Sequence, residues 1–215
     1  MALLYTFVMN TTELESSKPD LKRLLELQEL LITFSAIERM VYIPPKAEVS
    51  ESNVEHSFSL AMISWFLAPH FPHLDANKLI RLCLAHDMVE VYCGDTFSFD
   101  DQAVKGQEER EAVAIETLKR TWADFPALTQ AIDEYEEGST NEAIFVRALD
   151  RLHPILMDYL SEGRSWHKLG ITFDRFIEVK DQKVPTSPEI AKYYYELREL
   201  LVKQPQLFAT PKDEA

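Results

Sequence analysis

Apolar positions along the chain fall into stretches of helical period, separated by short polar or proline-bearing connections. Leu21, Leu24, Leu25, Leu27, Leu30 and Leu31 recur three and four apart behind Asp20, an N-cap residue, and predict a helix over residues 21–40. Pro44 and Pro45 then impose an extended connection. After Ser50, Glu51, Ser52 and Asn53 a second helix runs over residues 54–71, apolar on more than one face and therefore central. Asp75 caps a third, over residues 76–92, which stops at Gly94. Residues 95–105 read as a loop. Amphipathic pattern predicts further helices over 106–125, 127–138 and 141–163, the last kinked or divided by Pro154. Residues 164–185 read as irregular, with a short helix near 174–180. Pro188 opens the last helix, over 188–204. The expectation is an all-α fold: a flexible extension over 1–19, a single domain over 20–204 and a flexible tail over 205–215.

Composition narrows the function classes. The 215 residues are 46% hydrophobic, enough to bury a sizeable core. The net charge of -14 argues against long nucleic acid and anionic membranes as partners. It is compatible with a small phosphorylated ligand, because a bound metal and a few local cations invert the field inside a cleft. Cys83 and Cys93 form no CxxC pair and read as reduced thiols, which suits a cytoplasmic location. The apolar start has no basic segment before it and is too short to span a bilayer, and no other segment reads as transmembrane.

Three short features carry chemistry: His56 between Glu55 and Ser57, the pair His86 and Asp87 with Glu90 beyond it, and Asp150. Two imidazoles and two carboxylates are a ligand set for a borderline divalent ion. His86, Asp87 and Asp150 sit in apolar runs, where unpaired carboxylates are costly and a shared metal resolves the cost. Glu90 lies one turn beyond His86 on nearly the same face, the place of a general base or of a group that orients a ligand histidine. Asp150 has a simpler alternative, pairing with Arg147 or Arg151 on its own helix. His70, His73, His153 and His167 fit no slot in this pattern and read as surface or core histidines. The run Tyr193, Tyr194 and Tyr195 reads as helix packing or a dimer surface.

The order H…HD…D on a helical chain, in the wording ESNVEHSFSLAM, LAHDMVEVYCGDT, EERE and ALDRL, resembles the HD-domain metal-dependent phosphohydrolases, in particular their 5′-deoxynucleotidase-like branch. The likeness runs from about Arg39 to about Gly163. It implies a compact HD-domain helical bundle with additional C-terminal helices. It also implies metal ligation by His56, His86, Asp87 and Asp150, with Glu90 and Asp95 handling water and protons. Arg39 would contact the substrate, with Lys105 as a further cation. Tyr42 stands in for an aromatic residue expected where the chain has Met40. The chain also departs from the family pattern at Thr96-Phe97-Ser98 and at Arg151. The cofactor implied is one divalent ion (Mn, Co, Fe, Zn, Ni or Mg). The reaction implied is hydrolysis of a small phosphomonoester, a nucleoside 5′-monophosphate, by a homodimer. Two alternatives stand beside it: an HD hydrolase of a triphosphate, cyclic nucleotide or pyrophosphate, disfavoured by the few cations near the motifs, and a non-catalytic metal-binding regulatory module.

Overall fold

The fold is that of a computed structural model, which describes residues 18–44, 48–100, 102 and 105–211. Most of the expected N-terminal extension, Pro45 of the extended connection and the last four residues of the expected tail lie outside these residues. The chain divides into two compact units after Thr33, within the first helix. A helix closes its own backbone hydrogen bonds, so an element boundary and a unit boundary need not coincide.

Helix α1, Leu21–Ser35, is capped as expected: Asp20 Oδ1 accepts from the Arg23 amide at 2.8 Å. It ends five residues earlier than its pattern predicts. Residues Glu38–Tyr42 form strand β1, antiparallel to β2, Ser50–Ser52, with Glu38 opposite Ser52 and Tyr42 opposite Ser50. The hairpin gives residues 38–42 a hydrogen-bonding partner that the helical pattern does not reveal, and Val41 and Tyr42 suit a pleated surface.

Helix α2, Asn53–Leu67, starts at a reciprocal capping box between Ser52 and Glu55, so Glu55 serves the helix end. Asp75 caps α3, Ala76–Ala85. The chain does not continue as one helix to Tyr92. It tightens into a 3-10 turn over His86–Val89 and a short α4, Glu90–Cys93, before Gly94 at φ +77°. Helices α5, Gln107–Thr121, α6, Pro126–Glu137, and α7, Asn141–Leu160, follow. Thr140 caps α7, and Pro154 leaves it undivided. The bond this proline cannot make would run to the carbonyl of Asp150. Helix α2 packs on α3 and α7, and α3 also packs on α6 and α7. Leu60, Leu79, Leu118, Ile132, Phe145 and Leu149 fill the core, each burial worth about 2 kcal/mol.

Residues 164–185 are more regular than expected: α8, Arg164–Leu169, and α9, Phe173–Lys180, precede α10, Pro188–Val202. Residues 207–209 are packed. Phe208 is buried and stacks on Trp166 at 4.3 Å, and the Ala209 amide donates to Ile171 O at 3.0 Å. Gly163 permits this closeness, since a Cβ there would stand 1.8 Å from Leu207 O, and its φ of +72° suits glycine. Among the described residues the fold is all-α apart from the two-stranded hairpin, in line with the expected helical class.

Candidate metal centre

Four segments meet around one buried point. Strand β1 brings Arg39, the first turns of α2 bring His56, the tight turn after α3 brings His86 and Asp87, and the middle of α7 brings Asp150. His56 Nε2 lies 3.0 Å from Asp150 Oδ1 and 3.8 Å from Asp87 Oδ2. His86 Nε2 lies 3.2 Å from Asp87 Oδ2 and 3.8 Å from Asp150 Oδ1. The structure thus brings together all four residues predicted as ligands.

The geometry asks for a cation. His86 Nδ1 donates to Cys83 O at 2.9 Å, so in the neutral ring Nε2 is the lone-pair nitrogen, buried and facing aspartate oxygens. A lone pair held against carboxylates is unfavourable, and either a proton on Nε2 or a metal ion between the groups relieves it. Burial opposes the charged ring of His86, yet Asp87 and Asp150 push its pKa up to about 10. Burial likewise opposes charge on Asp87 and Asp150, but His86 holds the first carboxyl below the ordinary aspartate range, and His56 with His86 holds the second there. Two imidazole nitrogens and two carboxylate oxygens fit a borderline divalent ion.

Three supporting residues are absent from the sequence expectation as partners of the site. Glu51, 1% exposed, stands 3.5 Å from His56 Nδ1, on the ring nitrogen away from the cluster. A carboxylate on the far nitrogen orients a ligand imidazole and raises its basicity. His153 Nδ1 lies 3.2 Å from the same His56 nitrogen, and burial with His56 pushes its pKa down to about 4. Tyr135 donates its hydroxyl to Asp150 Oδ2 at 3.2 Å. Glu51 had a signal, its place beside the His56 motif. His153 had one too, its place one turn after Asp150. Tyr135 had none.

Arg39 does not pair with its neighbour Glu38: Nη1 donates to Asp87 Oδ2 at 2.8 Å, and Nη2 lies 3.8 Å from Asp150 Oδ1. Burial opposes its charge, but Asp87, Asp150 and Asp95 keep it firmly protonated. Arg147 and Arg151 leave Asp150 alone, and donate to the carbonyls of Tyr135, Glu136 and Lys183. Asn53 Nδ2 donates to Glu90 Oε2 at 2.6 Å. Burial, then Asp87 and Asp95, push the Glu90 carboxyl up to about 9. Asp95 is shifted upward mainly by burial, against the pull of Arg39.

A cavity of about 350 Å³ opens on this cluster, with Arg39, His86, Asp87, Glu90, Asp95 and Asp150 among its lining residues. Met40, Phe97, Ser98, Phe99, Trp166 and Lys180 also line it. Two predicted substrate contacts fall outside. The Tyr42 ring carries Lys168 Nζ at 4.6 Å from its centre, and Lys105 is exposed beside Gln102. Arg147, Arg151, Lys180 and Lys183 all line the cavity, so it is more basic than the surroundings of the motifs in the sequence indicate.

The HD domain family model matches residues 37–191. The 5′-deoxynucleotidase HDDC2 of Xenopus laevis is 31% identical over 138 residues, 63% of this chain and 67% of that protein. Its Homo sapiens counterpart is 26% identical over 137 residues, 63% and 66% of the two chains. The matched region thus spans about two thirds of the length of these relatives. A predicted metal-dependent phosphohydrolase from Magnetospirillum magnetotacticum MS-1, known by crystal structure, shares 27% identity at a TM-score of 0.71, over 87% of this chain and 99% of that one. A conserved hypothetical protein from Pyrococcus furiosus shares the fold, at 24% identity and a TM-score of 0.58, over 81% of this chain and 99% of that one. The family match includes every residue of the buried cluster, and the chain belongs to the HD domain family.

Proposed function

We propose that the chain is a divalent-metal-dependent phosphohydrolase that cleaves a phosphomonoester, with a nucleoside 5′-monophosphate as its substrate. The observation that carries this reading is the convergence of His56, His86, Asp87 and Asp150 on one buried point beside a cavity that also holds Glu90, Asp95 and Arg39. The names of the HDDC2 relatives support the substrate class.

His56, His86, Asp87 and Asp150 would hold one ion, from among Mn, Co, Fe, Zn, Ni and Mg. Such an ion supplies Lewis acidity toward phosphoryl and water oxygens when bound. Arg39 orients the phosphoryl group and offsets its charge; the planar fork of arginine suits a bidentate contact. Glu90, fixed by Asn53, would align the attacking water and take its proton, and Asp95 would deliver a proton to the leaving oxygen. Little more is required, because phosphoryl transfer depends mainly on positioning and electrostatics. Lys105 and Tyr42 have no part in this reading. A triphosphate or pyrophosphate substrate is the second reading, favoured by the cavity cations Arg147, Arg151, Lys180 and Lys183.

A cytoplasmic homodimer completes the reading. No described helix is long and apolar enough to cross a membrane. Phe58, Trp65 and Phe66 lie on one outer face of α2 at 61%, 60% and 73% exposure, an apolar surface suited to a second copy.

The test is phosphate release by Mn²⁺- or Co²⁺-loaded protein from deoxy- and ribonucleoside monophosphates and from an aryl phosphate. Release that EDTA abolishes is expected. Release that persists after complete metal removal, or none from any monophosphate, defeats the proposal.

A further inference from the structure

Glu51 is buried in β2, one residue before the Ser52 that stands opposite Glu38 in the hairpin. Arg39 follows Glu38, so the antiparallel register sets Arg39 and Glu51 beside each other. Glu51 Oε2 stands 3.7 Å from Arg39 Nε and 3.5 Å from His56 Nδ1. Both Glu51 Oε2 and Arg39 Nε are buried, and among the described residues neither has a hydrogen-bond partner elsewhere. Burial opposes charge on Glu51, while His56, His153 and Arg39 hold its carboxyl below the ordinary glutamate range. A buried carboxylate so placed needs cationic or donor neighbours, and these two are the ones within reach of Oε2.

Arg39 lines the cavity and Glu51 does not, so Glu51 stands behind the groups that face a ligand. Arg39 sends Nη1 to Asp87 Oδ2 and Nη2 toward Asp150 Oδ1, and His56 sends Nε2 to Asp150 Oδ1. Each side chain thus has its outer nitrogens on the cluster and its remaining nitrogen on Glu51. The carboxylate is itself held. Ser52 caps α2, and the Asn53 amide donates to Ile37 O at 3.1 Å, which fixes the junction of strand and helix. His153 Nδ1 lies closer to His56, at 3.2 Å, but an imidazole that burial keeps neutral offers no charge to His56 or to Arg39.

Building on the phosphohydrolase reading, we propose that Glu51 is a positioning residue for two groups at once, holding the His56 ring with Nε2 toward the metal and the Arg39 fork toward the phosphoryl group. A carboxylate on the far nitrogen of a ligand histidine strengthens that ligand. A carboxylate behind an arginine fixes the plane of its fork, which a bidentate contact with phosphate requires. One buried charge therefore sets both the affinity for the ion and the affinity for the phosphate beside it.

The experiment compares wild type, Glu51→Gln, Glu51→Asp, Arg39→Met and the double variant of Arg39→Met with Glu51→Gln. Two affinities are measured on the full chain: Mn²⁺ against a competing chelator, and inorganic phosphate on Mn²⁺-saturated protein by calorimetry. Glu51→Gln keeps the shape and removes the charge. It is expected to weaken Mn²⁺ binding about 10- to 100-fold. Phosphate binding is expected to weaken about 10-fold. In the Arg39→Met background the same change is expected to cost Mn²⁺ binding at least about 10-fold again, but phosphate binding less than about twofold, because the phosphate effect passes through Arg39. Glu51→Asp keeps the charge on a shorter stem, and is expected to retain more of both affinities than Glu51→Gln. Mn²⁺ binding by Glu51→Gln within about threefold of wild type overturns the proposal. A phosphate loss of the same size with and without Arg39 overturns it too. Glu51→Asp falling below Glu51→Gln does so as well, since that order marks a residue needed for its size. A wild type that binds no Mn²⁺ overturns the phosphohydrolase reading and this assignment together. Both binding effects, with no hydrolysis of any monophosphate by wild type, overturn that reading and leave the two contacts of Glu51 standing.

Discussion

At one end of the cavity Arg39, His56 and His86 crowd within 4.0 Å of Asp87 and Asp150, with Glu90 and Asp95 close by. Elsewhere on the cavity wall, Lys180 has a serine hydroxyl and a phenyl ring. The first region has more acid than cation, and buries an imidazole nitrogen against carboxylates. The second holds a buried cation that, among the described residues, makes no ion pair with a carboxylate. The first region compensates its buried charges within one cluster, and the second leaves its cation to weaker partners.

Removing Asp150 is the most severe way to break this comparison. Asp150→Ala takes a ligand from the metal end and a partner from Tyr135 and His56. Metal content and phosphate release are both expected to collapse, release on the order of 10³-fold or more. Activity persisting at full occupancy, read by elemental analysis, would sink the four-ligand arrangement.

Glu90→Ala leaves the ligands in place. Turnover is expected to drop roughly 10²- to 10⁴-fold while the ion stays bound. Loss of the ion in that variant would make Glu90 a ligand.

Gly163→Ala tests the cavity wall through its scaffold. It forces a side chain onto Leu207 O and into a positive φ, and so disturbs the seat of Phe208 on Trp166, a cavity residue. The expected cost is about 1–3 kcal/mol, a fall in Tm of roughly 3–10 °C, with metal content preserved. An unchanged melting curve would show that the 205–209 segment is not held as described.

Local signals carried much of the fold. Asp20, Asp75, Thr140 and Pro188 mark helix starts because capping is a matter of the nearest few residues, and Gly94 marks a stop for the same reason. Strand β1 was hidden, because its pairing with β2 overrides a helical pattern that continues through residue 40. The tail was hidden too, because Leu207 and Phe208 are held by Gly163 and Trp166, some 40 residues earlier.

The candidate site divides in the same way. The sequence by itself determined which side chains can ligate a metal: His56, His86, Asp87 and Asp150 are chemically suited wherever the chain puts them. Only the tertiary structure decided that Glu51 and His153 flank His56, that Tyr135 reaches Asp150, and that Lys180 faces the cavity while Lys105 and Tyr42 do not. Hydrogen bonds and charge act over a few ångströms of space, and residues far apart in the chain come within that distance only once the helices pack.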